Sequence, residues 1–209
     1  MLFTRKKMIR KFALILFLAC GFAAMARADE FGPSVIISAR DQKLAVVDDG
    51  KVKMKFDIST SKFGLGDDNG SYKTPLGTLW VSDKIGGNLP AGTVIKNRNP
   101  TGEIVAPNAP GRDPIVSRVI WLHGLDDGNK NAYGRCIYIH GTPEESMLGK
   151  KASYGCIRMR SKDVIALYDL VQVGTHVTIT DQPLSSLLPA KHLHLSLPSF
   201  HIGALTGGN

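Results

Sequence analysis

The sequence predicts a mainly β fold, either a β-sandwich or a closed β-barrel with short helices. Three observations carry that expectation. Val52, Met54, Phe56 and Ile58 alternate with Lys51, Lys53, Lys55 and Asp57, the period-two pattern of a strand with one face in a core and the other in water. Asp49-Gly50 sits between this run and the apolar one before it, and Asp-Gly is a hairpin signal because both residues accept positive φ. Glycine and proline number 22 and 11 in 209 residues, which favours many turns over long helices.

The elements follow in order. Ser34–Ala39, Leu44–Val47 and residues 52–58 open the fold. Thr78–Ser82, Thr93–Lys96, Ser117–Leu122, Arg135–His140 and His176–Thr180 are further β-rich runs. Gly64–Gly70 is too glycine-rich and polar for a regular element and reads as a loop, either a mobile cover over a site or a surface connection. Its Asp67, Asp68 and Asn69 lack the spaced ligands and closing Glu of a calcium loop. Pro100–Pro114 reads as an irregular loop. Thr142-Pro143-Glu144-Glu145 offers a capping box, with Thr142 as N-cap, Glu145 reaching back and Gly149 ending a short helix. A second helix is expected from Lys162 to Val171, capped by Ser161 and ended by Gly174. Val164, Leu167, Tyr168 and Val171 fall on one of its faces. Residues 182–209, with His192, His194 and His201, read as a loosely ordered tail; a metal site or a docking strand is the alternative.

The net charge of +8 suggests a nucleic-acid partner until its source is located. Arg5, Lys6, Lys7, Arg10 and Lys11 precede the apolar run Phe12–Ala19, and Ala26-Arg27-Ala28 follows. This is the layout of a signal peptide spanning residues 1–28, which places the mature chain in the periplasm or outside the cell. The run is far short of the ~20 residues a membrane span needs. Residues 1–28 hold six of the 26 basic residues and none of the 18 acidic ones. The remainder is nearly neutral, without the basic footprint of a nucleic-acid binder.

Chemistry concentrates in His140-Gly-Thr-Pro-Glu-Glu-Ser-Met-Leu-Gly-Lys-Lys-Ala-Ser-Tyr-Gly-Cys156-Ile-Arg-Met159. A histidine ends a strand, and a cysteine follows 16 residues later beside Ser153, Gly155 and Arg158. A thiol must lose its proton to attack a carbonyl, and an imidazole both takes that proton and steadies the thiolate. Gly155 lets backbone approach a substrate, and main-chain N–H groups around Cys156 suit a developing oxyanion. Arg158 offers a planar cation matched to a carboxylate. Zinc is a weaker reading of Cys136, His140, Cys156 and His123. If Arg135–His140 is extended, Cys136 and His140 stand ~13 Å apart, too far for two ligands of one ion. His123 reads as structural.

This segment resembles the signature of the L,D-transpeptidase catalytic domain family (the YkuD domain): HGTP, a glycine-containing spacer, then S-x-G-C-I-R-M. The likeness continues upstream in Lys73-Thr74-Pro75-Leu76-Gly77-Thr78 and downstream over 163–180, and covers about residues 34–181. It implies Cys156 as nucleophile, His140 as general base, and the Gly141 carbonyl as the group that fixes the imidazole. It also implies Gly155, with the N–H groups of Tyr154 and Cys156, as the oxyanion-hole region. Ser153 and Arg158 fall at positions linked to substrate placement. The implied reaction is on peptidoglycan stem peptides. A thiolate attacks the carbonyl of the third stem residue, usually meso-diaminopimelate, and terminal D-alanine leaves. The acyl group then passes to another stem, to a lipoprotein lysine, or to water in an L,D-carboxypeptidase or endopeptidase. Carbapenems are the expected inhibitors, and no metal or organic cofactor is implied. Two positions depart from the family pattern: Tyr154 stands where many members have histidine, and Arg160-Ser161 where many have asparagine. A Cys136–Cys156 disulfide would silence the sulfur and leave a non-catalytic wall-binding module. The sequence leaves that pairing open.

Overall fold

The computed structural model describes residues 32–188; the signal peptide expected over residues 1–28 and His192, His194 and His201 lie outside them. Ten strands are present: β1 (Ser34–Ser38), β2 (Lys43–Asp48), β3 (Lys51–Ser59), β4 (Gly77–Ile85), β5 (Thr93–Lys96), β6 (Asn99–Ile104), β7 (Val116–Gly124), β8 (Tyr138–Gly141), β9 (Ile157–Met159) and β10 (His176–Thr180). One α-helix, α1 (Ser161–Leu170), lies between β9 and β10. Eight strands pair in the order β4-β10-β1-β2-β3-β9-β8-β7, and β7 pairs back onto β4, so the sheet closes. The architecture is therefore a closed barrel and not a sandwich. The β5–β6 hairpin hangs outside it, joined to β7 through Val94 and Val116.

Closure follows from the sequence pattern. Inward positions carry Ile37, Leu44, Ile58, Leu79, Ile120, Leu122, Ile139, Ile157 and Ile179, all fully buried, and an 8-stranded barrel has an interior just wide enough for such side chains to fill. The helix α1 buries Val164 and Leu167, with Val171 at its C-cap, in the same core. Tyr168 is only half-buried. Among the described residues no helix is long and apolar enough to cross a membrane.

Several expectations need correction. The 52–58 run is a strand, yet Val52 and Met54 are 36% and 39% exposed, and only Ile58 is fully buried. The cause is topological: β9 meets β3 only at Ile58 and Ser59, so the first half of β3 pairs with β2 alone and has no layer over its apolar side. Within Pro100–Pro114 the chain forms most of β6, whose residues are all exposed and so give no alternation to read. The strand expected over Arg135–His140 begins only at Tyr138. Before it the chain turns, with Cys136 at φ +57° and Ile137 N–H donating to Ala132 O at 3.0 Å. The three-residue strand β9 is too short to show a period. Gly64–Gly70 is fastened rather than free: Asp67 is buried, pairs with Arg135 at 2.7 Å and accepts Asn131 N–H at 2.6 Å.

The helix starts also differ from the expected pattern. Residues Glu145–Met147 make a single 3₁₀ turn, and Thr142 Oγ1 accepts Glu144 N–H at 3.0 Å. Glu145 does not reach back to Thr142. Its carboxylate accepts Ser161 N–H at 3.0 Å and so caps α1, of which Ser161 is the first residue rather than the cap. Residues 182–188 are not loose: Leu184 is buried, its N–H donates to Asp41 at 2.7 Å, and Ser38 Oγ donates to Gln182 O at 2.6 Å.

A carboxylate at a helix N-terminus satisfies an orphan donor and meets the positive end of the dipole. We expect Glu145→Ala to lower unfolding free energy by ~1 kcal/mol and Glu145→Gln to retain most of it, read from urea denaturation midpoints.

Candidate active site

The site is built by one register. In β8 and β9, paired in parallel, Ile139 faces Ile157 and His140 faces Arg158. Side chains alternate along a strand, so Ile139 and Ile157 point into the barrel. Tyr138, His140, Cys156 and Arg158 then share its outer face. Beside them on β7, Val119 pairs with His140 and Trp121 with Tyr138. Val119, Trp121 and Tyr138, with Ile95 of β5, form a second apolar cluster outside the barrel, and Cys136 and Cys156 pack against it.

Cys156 is half-buried, and both Cys136 and Cys156 are free thiols. Its sulfur sits between opposite partners: Tyr138 N–H donates to it at 3.4 Å, and the thiol donates to Cys136 O at 3.3 Å. His140 is 6% exposed, and its Nδ1 lies 2.9 Å from Gly141 O. A carbonyl can only accept, so Nδ1 carries the proton and Nε2 keeps its lone pair. The sulfur's hydrogen-bond partners are backbone groups and not His140, so the two side chains share a face without a direct bond. Apo sites are often looser than their substrate complexes.

The remaining predicted residues divide. Gly155 adopts φ +123°, and a Cβ there would meet Ile137 Cδ1 at 3.3 Å and Lys73 O at 3.4 Å, so the turn before Cys156 needs glycine. At Gly141 a Cβ would stand 2.5 Å from Val116 O, which makes glycine the condition for β8 lying against β7. Ser153 is buried, with Oγ donating to Cys156 O at 2.6 Å and accepting Gly155 N–H at 3.3 Å. It braces the loop from inside rather than facing solvent. Arg158 was read as a cation for a substrate carboxylate, yet its guanidinium already holds Asp113 at 2.6 Å and Glu144 at 3.1 Å. Tyr154 is 56% exposed and lies outward, not inward.

Sequence reasoning missed Asp113 and Glu144, because a carboxylate inside a loop carries no pattern. It also missed Phe63 and Tyr72, whose rings lie within 6.0 Å of Tyr154. The ~13 Å separation argued against zinc assumed an extended Cys136, which the turn removes. Among the described residues no three His, Cys, Asp or Glu side chains gather as a metal site. His123 packs edge-on to Trp80 at 6.0 Å. A groove of about 630 Å³ on the β2–β3 flank contains none of the predicted residues, and its Lys43 and Arg160 are paired with Asp57.

The family model of the L,D-transpeptidase catalytic domain (YkuD) matches residues 32–179. YqjB of Bacillus subtilis (strain 168) is 34% identical over 149 residues, 71% of this chain and 72% of YqjB. YkuD of the same organism is 40% identical over 85 residues, 41% of this chain and 47% of YkuD. An L,D-transpeptidase 3 from Mycobacterium tuberculosis, solved with a faropenem-derived adduct, is similar with TM-score 0.46 and 18% identity over 71% of this chain and 61% of that one. The chain belongs to the L,D-transpeptidase catalytic domain family.

Burial sets the resting charges. It pushes the Cys156 thiol up to about 11, against a smaller lowering by Tyr138 N–H. It also pushes His140 down to about 4, which the Gly141 carbonyl partly opposes and the Arg158 cation reinforces. Near neutral pH both groups are uncharged. Since the folded His140 value lies below its ordinary 6.5, the fold favours neutral imidazole. That stability is present above pH ~6.5 and is lost as pH falls through ~4. Wild type should lose roughly 3 kcal/mol more than His140→Gln over that window, measured by denaturant unfolding at pH 7, 5 and 4.

Proposed function

We propose that this chain is a cysteine-dependent transpeptidase of peptidoglycan stem peptides in the cell envelope. The observation that carries the reading is the shared outer face of β8 and β9. It holds a half-open thiol at Cys156 beside His140, whose Nε2 is left free by the Nδ1–Gly141 bond. Family membership supports the reaction class, and the basic-apolar-small layout of residues 1–28 supports export.

In the proposed reaction the Cys156 thiol gives its proton to His140 Nε2 as sulfur bonds to the carbonyl carbon of the third stem residue. The oxygen takes the electron pair and is met by the amides of Tyr154 and Cys156, since Gly155 N–H is committed to Ser153. The carbon–nitrogen bond to terminal D-alanine then breaks, and His140 returns the proton to the leaving amine. An acceptor amine, from a second stem or a lipoprotein lysine, attacks the thioester. It loses a proton to His140 as the carbon–sulfur bond breaks, and His140 returns that proton to sulfur. Arg158 acts as a positioning residue: tied to Asp113 and Glu144, it fixes β9 beside His140. Carbapenems enter as acyl traps because the family resemblance implies that they acylate Cys156.

Cys156→Ala is expected to abolish both cross-linked product and the carbapenem adduct; an undiminished adduct by intact mass would overturn the assignment. His140→Ala should slow acylation at least ~10²-fold near neutral pH, with recovery as pH climbs toward the thiol's own titration near 11. Digestion of muropeptides followed by mass spectrometry reads the acceptor: new cross-links support an amine, and shortened stems alone would replace it with water.

A further inference from the structure

The occupied fork of Arg158 leaves the carboxylates of a stem peptide without their expected partner. Arg135 and Arg160 are likewise taken, by Asp67 and by Asp57 with Asp163. Lys62 is held beside the loop that carries Cys156 without a carboxylate. Lys62 Nζ donates to Tyr154 Oη at 2.9 Å and stands 4.2 Å above the Tyr154 ring and 5.3 Å from that of Phe63. Among the described residues it forms no ion pair with Asp or Glu.

The placement is built. Lys62 N–H donates to Ser153 O at 3.1 Å, and Ser61 bridges to Ser153 in parallel. Ser61 Oγ accepts Phe63 N–H at 3.0 Å and donates to Tyr72 O. Thr74 Oγ1 accepts Ser61 N–H at 3.0 Å and donates to Gly155 O at 2.9 Å. The strap bearing Lys62 is thus bonded to the loop that carries Cys156. Around it Phe63, Tyr72 and Tyr154 are 46%, 57% and 56% exposed, with centroids 5.4–6.0 Å apart. Contiguous exposed apolar surface with a polar rim marks an interaction site. Here a fixed ammonium and a phenol sit in that surface, which suits a peptide with apolar methylenes and a free carboxylate.

We infer that Lys62, with Tyr154, binds an internal free carboxylate of the donor stem peptide, not that of terminal D-alanine, over the Phe63–Tyr72–Tyr154 platform. This subsite rests on the peptidoglycan reading above and adds its recognition element. Tyr154, the departure from the family's usual histidine, is then the residue that places the ammonium. Such an exposed contact has a modest effect, and it acts on substrate binding more than on the chemical step.

The test compares a tetrapeptide stem with the same peptide whose internal carboxylates are primary amides and whose terminal D-alanine is intact. Lys62→Glu should raise KM for the carboxylate peptide about tenfold, and Lys62→Met about threefold. The effect should lie in KM rather than kcat, and the amidated peptide should be affected by neither change. Equal shifts for both peptides, or none for either, would overturn the subsite. Calorimetric binding of the two peptides to Cys156→Ser protein, with and without Lys62→Glu, reads the same preference without turnover. A preference that Lys62→Glu removes supports the subsite, and equal binding sinks it. Absent turnover in wild type would count only against the enzymatic reading.

Discussion

The parallel pairing of β8 with β9 is the constraint on which the site depends. Parallel neighbours in register present their side chains to the same face, so the 16-residue separation of His140 and Cys156 in sequence collapses into adjacent strands. A parallel pair cannot be joined by a tight hairpin. The crossover between these strands runs through the 3₁₀ turn at Glu145–Met147 and the loop at Ser153–Gly155. That connection is where the loop before Cys156, the helix cap and the Lys62 contact all reside. A one-residue slip of β9 would send Cys156 into the barrel interior and expose Ile157. The burial of Ile139 and Ile157 is therefore what aims the chemistry outward.

Two guanidinium–carboxylate contacts stiffen the surroundings. Arg158–Asp113 ties β9 to the loop before β7, and Asp113 also accepts the Thr142 hydroxyl. Arg135–Asp67 joins the glycine-rich loop to the turn before β8, with a second Arg135 bond to Lys73 O at 2.6 Å. Both pairs are largely buried, so removing one partner would leave a desolvated charge at a cost of several kcal/mol. Their common effect is positional, since each pins an irregular segment to one end of the strand pair. Barrel strands and buried charges thus supply the rigidity around the candidate site.

Much of this was legible in the sequence where the physics is local. The β-rich runs, the Asp49-Gly50 turn and the amphipathic stripe of α1 each follow from a period or a turn preference, and the barrel's strands largely fall there. The pairing of His140 with the Gly141 carbonyl was expected from the family resemblance, and the structure places the two groups 2.9 Å apart. What stayed hidden depends on distant partners. Glu145 looked like its own helix's cap because S/T-x-x-E spacing is read within one segment, whereas its acceptor role is tertiary. Arg158 looked free because nothing in residues 105–114 announces that Asp113 reaches it. Val52 and Met54 looked buried because alternation reports a strand but not whether a layer covers it.

The resting electrostatics bear on how the proposed chemistry begins. Burial raises the Cys156 thiol and lowers His140, so both favour the neutral pair over the thiolate–imidazolium pair. A standing ion pair, the arrangement that lowers the thiol of many cysteine enzymes, is thus disfavoured in the free protein. In the proposed reaction proton transfer accompanies sulfur–carbon bond formation, so that negative charge passes onward to the carbonyl oxygen instead of remaining on sulfur. The same surroundings that keep Cys156 neutral also lower its reactivity toward oxidation, since a free thiolate beside Cys136 would be the more reactive state. Burial acts on both groups toward the neutral pair, and the Arg158 cation adds to it at His140 while opposing it at Cys156.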